Sequence, residues 1–272
     1  MSDRTKLSTD VQEVDLDYMA DFVEDDKSLE GLEEFFVPSI LKKLEATSKP
    51  KELVDEFGAG SIILTGQNAC VWKMGDIPFK FVPIIFVPIV RKWKDLKDQE
   101  PPKIVDQTFD MHSEMAKIAR SPVKRSAESY GNGYKYQYVQ HLTFIGIIYD
   151  GPYVGTQCIL SFERSGHFKG QSLATAIQSR RITIKDEVKR QPMYTQVWGI
   201  SLIEQHNQYG NWHGFNFCAV KPNVIDKQHA ESFRELNKTW KEKQAKEHIV
   251  YEDESTANDV STSDDDESDG GM

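Results

Sequence analysis

The sequence predicts a mainly β fold with flanking helices (α+β), in which five to six strands curl into a small Greek-key barrel. Three observations predict it. Long runs at Ile77–Trp93 and Tyr134–Tyr149 carry β-branched and aromatic residues almost throughout. Pro78, Pro83 and Pro88 punctuate the first run, and a strand lacking those N–H groups must be bulged, bent or at an edge. One helix-patterned stretch stands between two later hairpin signals, and bent strands are what a small barrel requires.

In chain order, residues 1–28 read as unfolded or marginally helical. Leu29–Ala46 has helical apolar spacing interrupted by Pro38, as two short helices or a helix and an extended lead-in. Residues 47–57 are polar and linker-like. Ser61–Thr65 is a short β-branched strand, and Ile77–Trp93 is the long one. An insertion over 94–133 holds Pro101-Pro102, an amphipathic piece around Met111–Ile118 and a basic stretch, Arg120–Arg125. Two or three short helices or a long loop fit it. Strands resume at Tyr134–Tyr149, turn at Asp150-Gly151-Pro152 and continue over Tyr153–Arg164, a hairpin signal. Leu173, Ala176, Ile177 and Ile184 then give one helical stripe. Met193–Gln205 and Trp212–Lys221 are the last two strands, and a polar helix spans 226–246.

Charge divides the chain more sharply than pattern does. The formal net charge is −10, which taken alone argues against nucleic acid. The tail after Ile249 holds nine carboxylates and no Lys or Arg, and residues 1–34 hold twelve against three cations. What is left, residues 35–249, carries thirty Lys/Arg against twenty-two Asp/Glu, a net of +8. Attraction to a polyanion depends on the local field, so the centre suits an anionic partner. The expected organisation is an acidic, mostly disordered segment 1–34, one folded domain 35–249 and a disordered acidic tail 250–272. Cys70, Cys158 and Cys218 are odd in number and widely spaced, which reads as free thiols in a reducing cytoplasm. Residues 1–30 show no signal peptide, and no apolar run is long enough to span a membrane.

Catalytic signatures are absent. There is no phosphate-loop, GxSxG or HExxH motif. His206, His213 and Cys218 do not follow a zinc spacing, and nothing singles out Glu163 and Glu204 as a hydrolytic pair. The expectation is a non-enzyme without cofactor or metal.

What recurs is aromatic and basic residues interleaved on β segments. Candidate binding residues are Lys73, Arg91, Lys92, Trp93, Lys124, Arg125, Tyr134, Lys135, Tyr136, Arg164, Lys169, Arg180 and Arg181. Unpaired bases stack on aromatic faces, for about 1–3 kcal/mol each, while cations follow the phosphates. Tyr134, Tyr136 and Tyr138 alternate along one strand and share one face. That face suits either a stacking surface or core. Trp198, between Val197 and Ile200, reads as core. Arg180, Arg181, Lys185, Lys189 and Arg190 put five cations within eleven residues, more than a helix C-terminus needs.

This layout resembles the single-stranded DNA-binding proteins of bacteriophages and bacteria, which have an oligonucleotide/oligosaccharide-binding (OB) barrel and an acidic C-terminal tail. The resemblance covers residues 58–221 by pattern and 252–272 by composition, including the run Asp264, Asp265, Asp266, Glu267 and Asp269. It implies largely sequence-independent binding of single-stranded DNA in replication, recombination and repair, in the host cytoplasm if phage-encoded. It also implies a tail that competes with DNA and contacts replication or recombination proteins, and a possible homo-oligomer. The chain ends Gly270-Gly271-Met272 rather than in the aromatic residue typical of those tails, which favours competition over docking. The alternative is a non-enzymatic protein-interaction or virion-associated module whose acidic ends confer solubility.

Overall fold

The computed structural model describes residues 37–95, 103–121, 123, 130–131, 134–208 and 210–245. Its centre is a ladder of two long antiparallel strands, β4 (Phe79–Asp95) and β7 (Tyr134–Ile148), paired from Phe81↔Ile148 to Asp95↔Lys135. The other strands of the main sheet are β1 (Ser39–Lys43), β2 (Ile62–Leu64), β3 (Ala69–Trp72), β5 (Lys103–Thr108), β6 (Tyr130–Gly131), β8 (Gln157–Glu163), β11 (Trp198–Asn207) and β12 (Gly210–Ala219). Their order is β12-β11-β4-β7-β8-β1-β2-β3, with β5 on β4 and β6 on β7. A separate hairpin is formed by β9 (Arg181–Ile184) and β10 (Glu187–Arg190). The helices are α1 (Lys51–Phe57), α2 (Glu114–Arg120), α3 (His167–Ser179) and α4 (Lys227–Ala245).

The mainly β expectation holds, and the closed five-to-six-stranded barrel does not. The ten strands form an open path. The sheet nevertheless curls, because side chains from both its ends share one core. Leu41, Ile62, Leu64 and Trp72 meet Phe79, Phe81, Phe144, Ile200, Leu202 and Phe215 around Leu173 and Ile177 of α3. Where β12 approaches β1, side chains replace a ladder. Lys43 Nζ donates to the His213 carbonyl at 2.6 Å, and the Glu45 carboxylate accepts from His213 N–H at 2.9 Å and lies 2.9 Å from its Nδ1.

The opposite face of β4 and β7 packs on α4. Val82, Ile84, Ile85, Val87, Ile89, Ile145 and Ile147 meet Phe233 and Trp240. The prolines explain the shape of this region. β11 pairs with β4 only at Phe79–Phe81 and β5 only at Val90–Lys94. Between those stretches, among the described residues, β4 has a strand on one side only, and Pro83 and Pro88 fall there. A bulge at Pro83/Ile85 bends the strand. Asn237 of α4 reaches into the notch and donates to the Ile84 carbonyl at 2.5 Å. Opposite Pro83 stands Gly146, where a Cβ would collide with the Phe81 ring and the Val82 carbonyl.

Several local expectations need correction. Ser39–Lys43 is a strand rather than helix, because Leu41 pairs with Leu64 and Ile40 with Ile159. The linker-like 47–57 contains α1, which buries Leu53 against Leu44 and Ile63. The insertion contributes β5 as well as a helix. The helical stripe stops at Ser179, and Ile184 belongs to β9. The Asp-Gly-Pro turn, the β7–β8 and β11–β12 hairpins and the polar last helix stand where expected.

Candidate functional site

Four of the candidate cations gather around α3. This helix is held by Leu173 and Ile177, and Gly170 lets it lie close to Phe162, where a Cβ would come within 2.7 Å. Arg164 stands at its entrance, in a 3-10 turn and with φ +47°. Lys169 leaves the helix toward β12 and donates to Asn216 Oδ1 at 3.3 Å. Arg180 caps the far end, its guanidinium 5.3 Å from the Trp198 ring centroid. Arg181 follows at once and donates to the carbonyls of Gln178 and Arg180. Between the end of α3 and β12 lies an open groove of about 570 Å³, lined by Ala176, Ser179, Arg180, Arg181, Trp198, Phe217, Cys218 and Ala219.

Trp198 was expected as core, and it is 3% exposed. It also forms a groove wall, with Phe217 packed edge-on at 5.8 Å. Its Nε1 is buried without a hydrogen-bond partner among the described residues. Neither α3 (HFKGQSLATAIQS) nor β12 (GNWHGFNFCA) contains a carboxylate. Cations on one wall and no acid on its two main elements give this groove a local field that favours an anion.

A second cluster sits at the far end of the β4–β7 ladder, with a different environment. Lys92 Nζ lies 4.5 Å from the Tyr136 ring and 5.4 Å from that of Tyr138. The tyrosines do share a face, as their period predicts. That face is covered by α2, whose Met115, Ala116, Ile118 and Ala119 pack with Val90, Tyr136 and Tyr138. Tyr138 is buried and Tyr136 half-buried, so this is core rather than a stacking surface. Tyr134 begins β7, its side chain outside what is described.

Arg91 and Trp93 are on the reverse face, with His141. Burial, then the charges of Arg91 and Arg164, push His141 down to about 3. It is neutral at pH 7, so its 3.4 Å contact with Glu163 is not an ion pair. Lys135 is exposed opposite Asp95 at the ladder's end. Lys73 stands apart, over the Phe57 ring of α1 at 5.8 Å. Lys124, Arg125 and the acidic run Asp264–Asp269 lie outside the described residues. Among the described residues, no group of three His, Cys, Asp or Glu could hold a metal, and no helix is long and apolar enough to cross a membrane.

The family described as Pam3 phage gp34-like protein matches residues 40–248, all but a few residues of the folded region. The chain belongs to this family. Neither the curated proteins nor the solved structures provide a match. In this gp34-like chain, sequence reasoning located the cations around α3 but missed Phe217 and Asn216 as their neighbours. The alternation of Phe215 and Phe217 along one segment was the available signal.

Proposed function

We propose that this gp34-like protein is a non-enzymatic, largely sequence-independent single-stranded DNA-binding protein that supports replication, recombination and repair of phage DNA. The observation that carries this reading is the α3–β12 groove, where Arg180 lies on the Trp198 ring beside Arg181 and no acid stands on either main wall. Phosphates meet Arg164, Lys169, Arg180 and Arg181, and bases meet Phe217, the half-buried ring of the groove. The comparison with OB domains is carried by a curled, mostly antiparallel sheet presenting rings and cations, without ladder closure.

Fluorescence titration with oligo-dT, oligo-rU and duplex at two salt concentrations tests it. Affinity for dT falls steeply with salt, and the Arg180→Ala/Arg181→Ala variant has a log–log salt slope shallower by about 1–2. No dT binding at low salt by folded protein overturns the reading. Deleting 252–272 removes nine carboxylates and tightens dT binding at low salt, with a gain that shrinks as salt screens it. An unchanged affinity would leave the tail no competing role.

A further inference from the structure

The β9–β10 hairpin stands outside the main sheet, and seven of its eight strand residues are exposed. It turns tightly at Lys185-Asp186, both with positive φ. Its base is clamped. Gln191 N–H donates to the Arg180 carbonyl, Gln191 Nε2 to the Asn223 carbonyl at 2.8 Å, and Gln196 Nε2 to the carbonyls of Ile177 and Gln191 at 3.0 Å each. Gln191 and Gln196 are buried. The result is an arm on a fixed base.

The arm's chemistry is uneven. Arg181 stands directly opposite Arg190, and the next pair on that face is Thr183 with Val188, which is 71% exposed. Like charges directly opposite each other destabilise a strand pair. This face has no acid of its own, and Arg181 is held by the carbonyls of Gln178 and Arg180, whereas the other face pairs Lys189 with Glu187 at 2.7 Å. An exposed valine beside two arginines is a poor solvated surface, and it suits a DNA groove, where the cations meet flanking phosphates and the valine meets thymine methyls on the floor. The arm sequence, RITIKDEVKR, has no aromatic residue, so it lacks what unpaired bases stack on. A two-stranded ribbon is also the width that a DNA major groove admits.

We propose that the β9–β10 arm contacts double-stranded DNA, entering the groove of a duplex that continues from the strand held between α3 and β12. This rests on the single-strand reading and adds a preference for single-strand/duplex junctions. Arg181, at once groove wall and arm base, joins the two surfaces.

The test compares an oligo-dT strand, a blunt duplex and a duplex with an oligo-dT overhang, with wild type, Lys185→Glu/Arg190→Glu and Val188→Asp. All three substituted positions are exposed, and circular dichroism checks the fold. Wild type binds the junction about ten-fold tighter than dT, with a steeper salt slope. Both variants lose most of that margin and keep their dT affinity. A wild type without the margin, variants that retain it, or variants that weaken dT as much as the junction would each overturn the arm's duplex role. Wild type that binds the junction but not dT would overturn the single-strand reading and leave the duplex contact standing.

Discussion

Two places in this molecule set a cation on an aromatic ring, and they differ in what lies above. At one end of the β4–β7 ladder Lys92 rests on Tyr136 and Tyr138, and α2 closes over them. At the end of α3, Arg180 rests on Trp198 beside an open groove. In sequence the two differ, since Lys92, Tyr136 and Tyr138 lie on the long β segments whereas Arg180 ends α3 and Trp198 opens β11. The covering helix makes the first a piece of core. At the second, Arg180, Arg181 and Phe217 line an open groove, although the Trp198 ring, 3% exposed, is as buried as Tyr138. What sets the second place apart is the open groove beside the contact, not the exposure of its ring.

The comparison can be tested from both ends. The largest expected effect is at the covered end. Tyr138→Ala opens a cavity under α2 and costs on the order of 3 kcal/mol, read as a lowered denaturation midpoint. The folded fraction keeps its affinity for dT, and a loss of affinity without a loss of stability would mean that Tyr138 is a stacking residue after all.

Next is the pH response of the reverse face. Folded His141 titrates near 3, against an ordinary value of 6.5. Between those values the unfolded chain takes up a proton that the folded chain refuses. Stability therefore falls as pH drops from 6.5 toward 3, by up to about 1.4 kcal/mol per pH unit. His141→Gln flattens that part of the profile in urea denaturation. An unchanged slope would show that His141 does not carry it.

The smallest effects separate the two cations directly. Lys92→Ala loses about 0.5–1 kcal/mol of stability and leaves dT binding unchanged. Arg180→Ala loses a similar amount of stability with its contact to Trp198 and in addition weakens dT binding by up to about ten-fold. If Lys92→Ala weakens dT binding and Arg180→Ala does not, the assignment of surface and core is inverted.

The long elements were legible because their signals repeat. β4 and β7 hold β-forming residues over fifteen positions or more, and α3 and α4 hold their period over several turns. Short elements were not. Ser-Ile-Leu-Lys-Lys of β1 has no period of its own, and pairing with Leu64 and Ile159 decides its state. The β9–β10 hairpin turns on Lys-Asp rather than a glycine pair, so its cations read as the end of a helix. For the site, periodicity placed Tyr136 and Tyr138 on one face correctly but could not reveal α2 above it. Trp198 posed the opposite difficulty, since a side chain 3% exposed can still wall a groove.

The notch in β4 has a consequence for association between molecules. A central strand with one bare side is where a foreign strand would ordinarily add. Here a newcomer would find two prolines with no N–H to offer, a bulge that breaks the spacing, and the Ile84 carbonyl already engaged by Asn237. The same kink that curls the sheet thus guards its most apolar strand against runaway pairing.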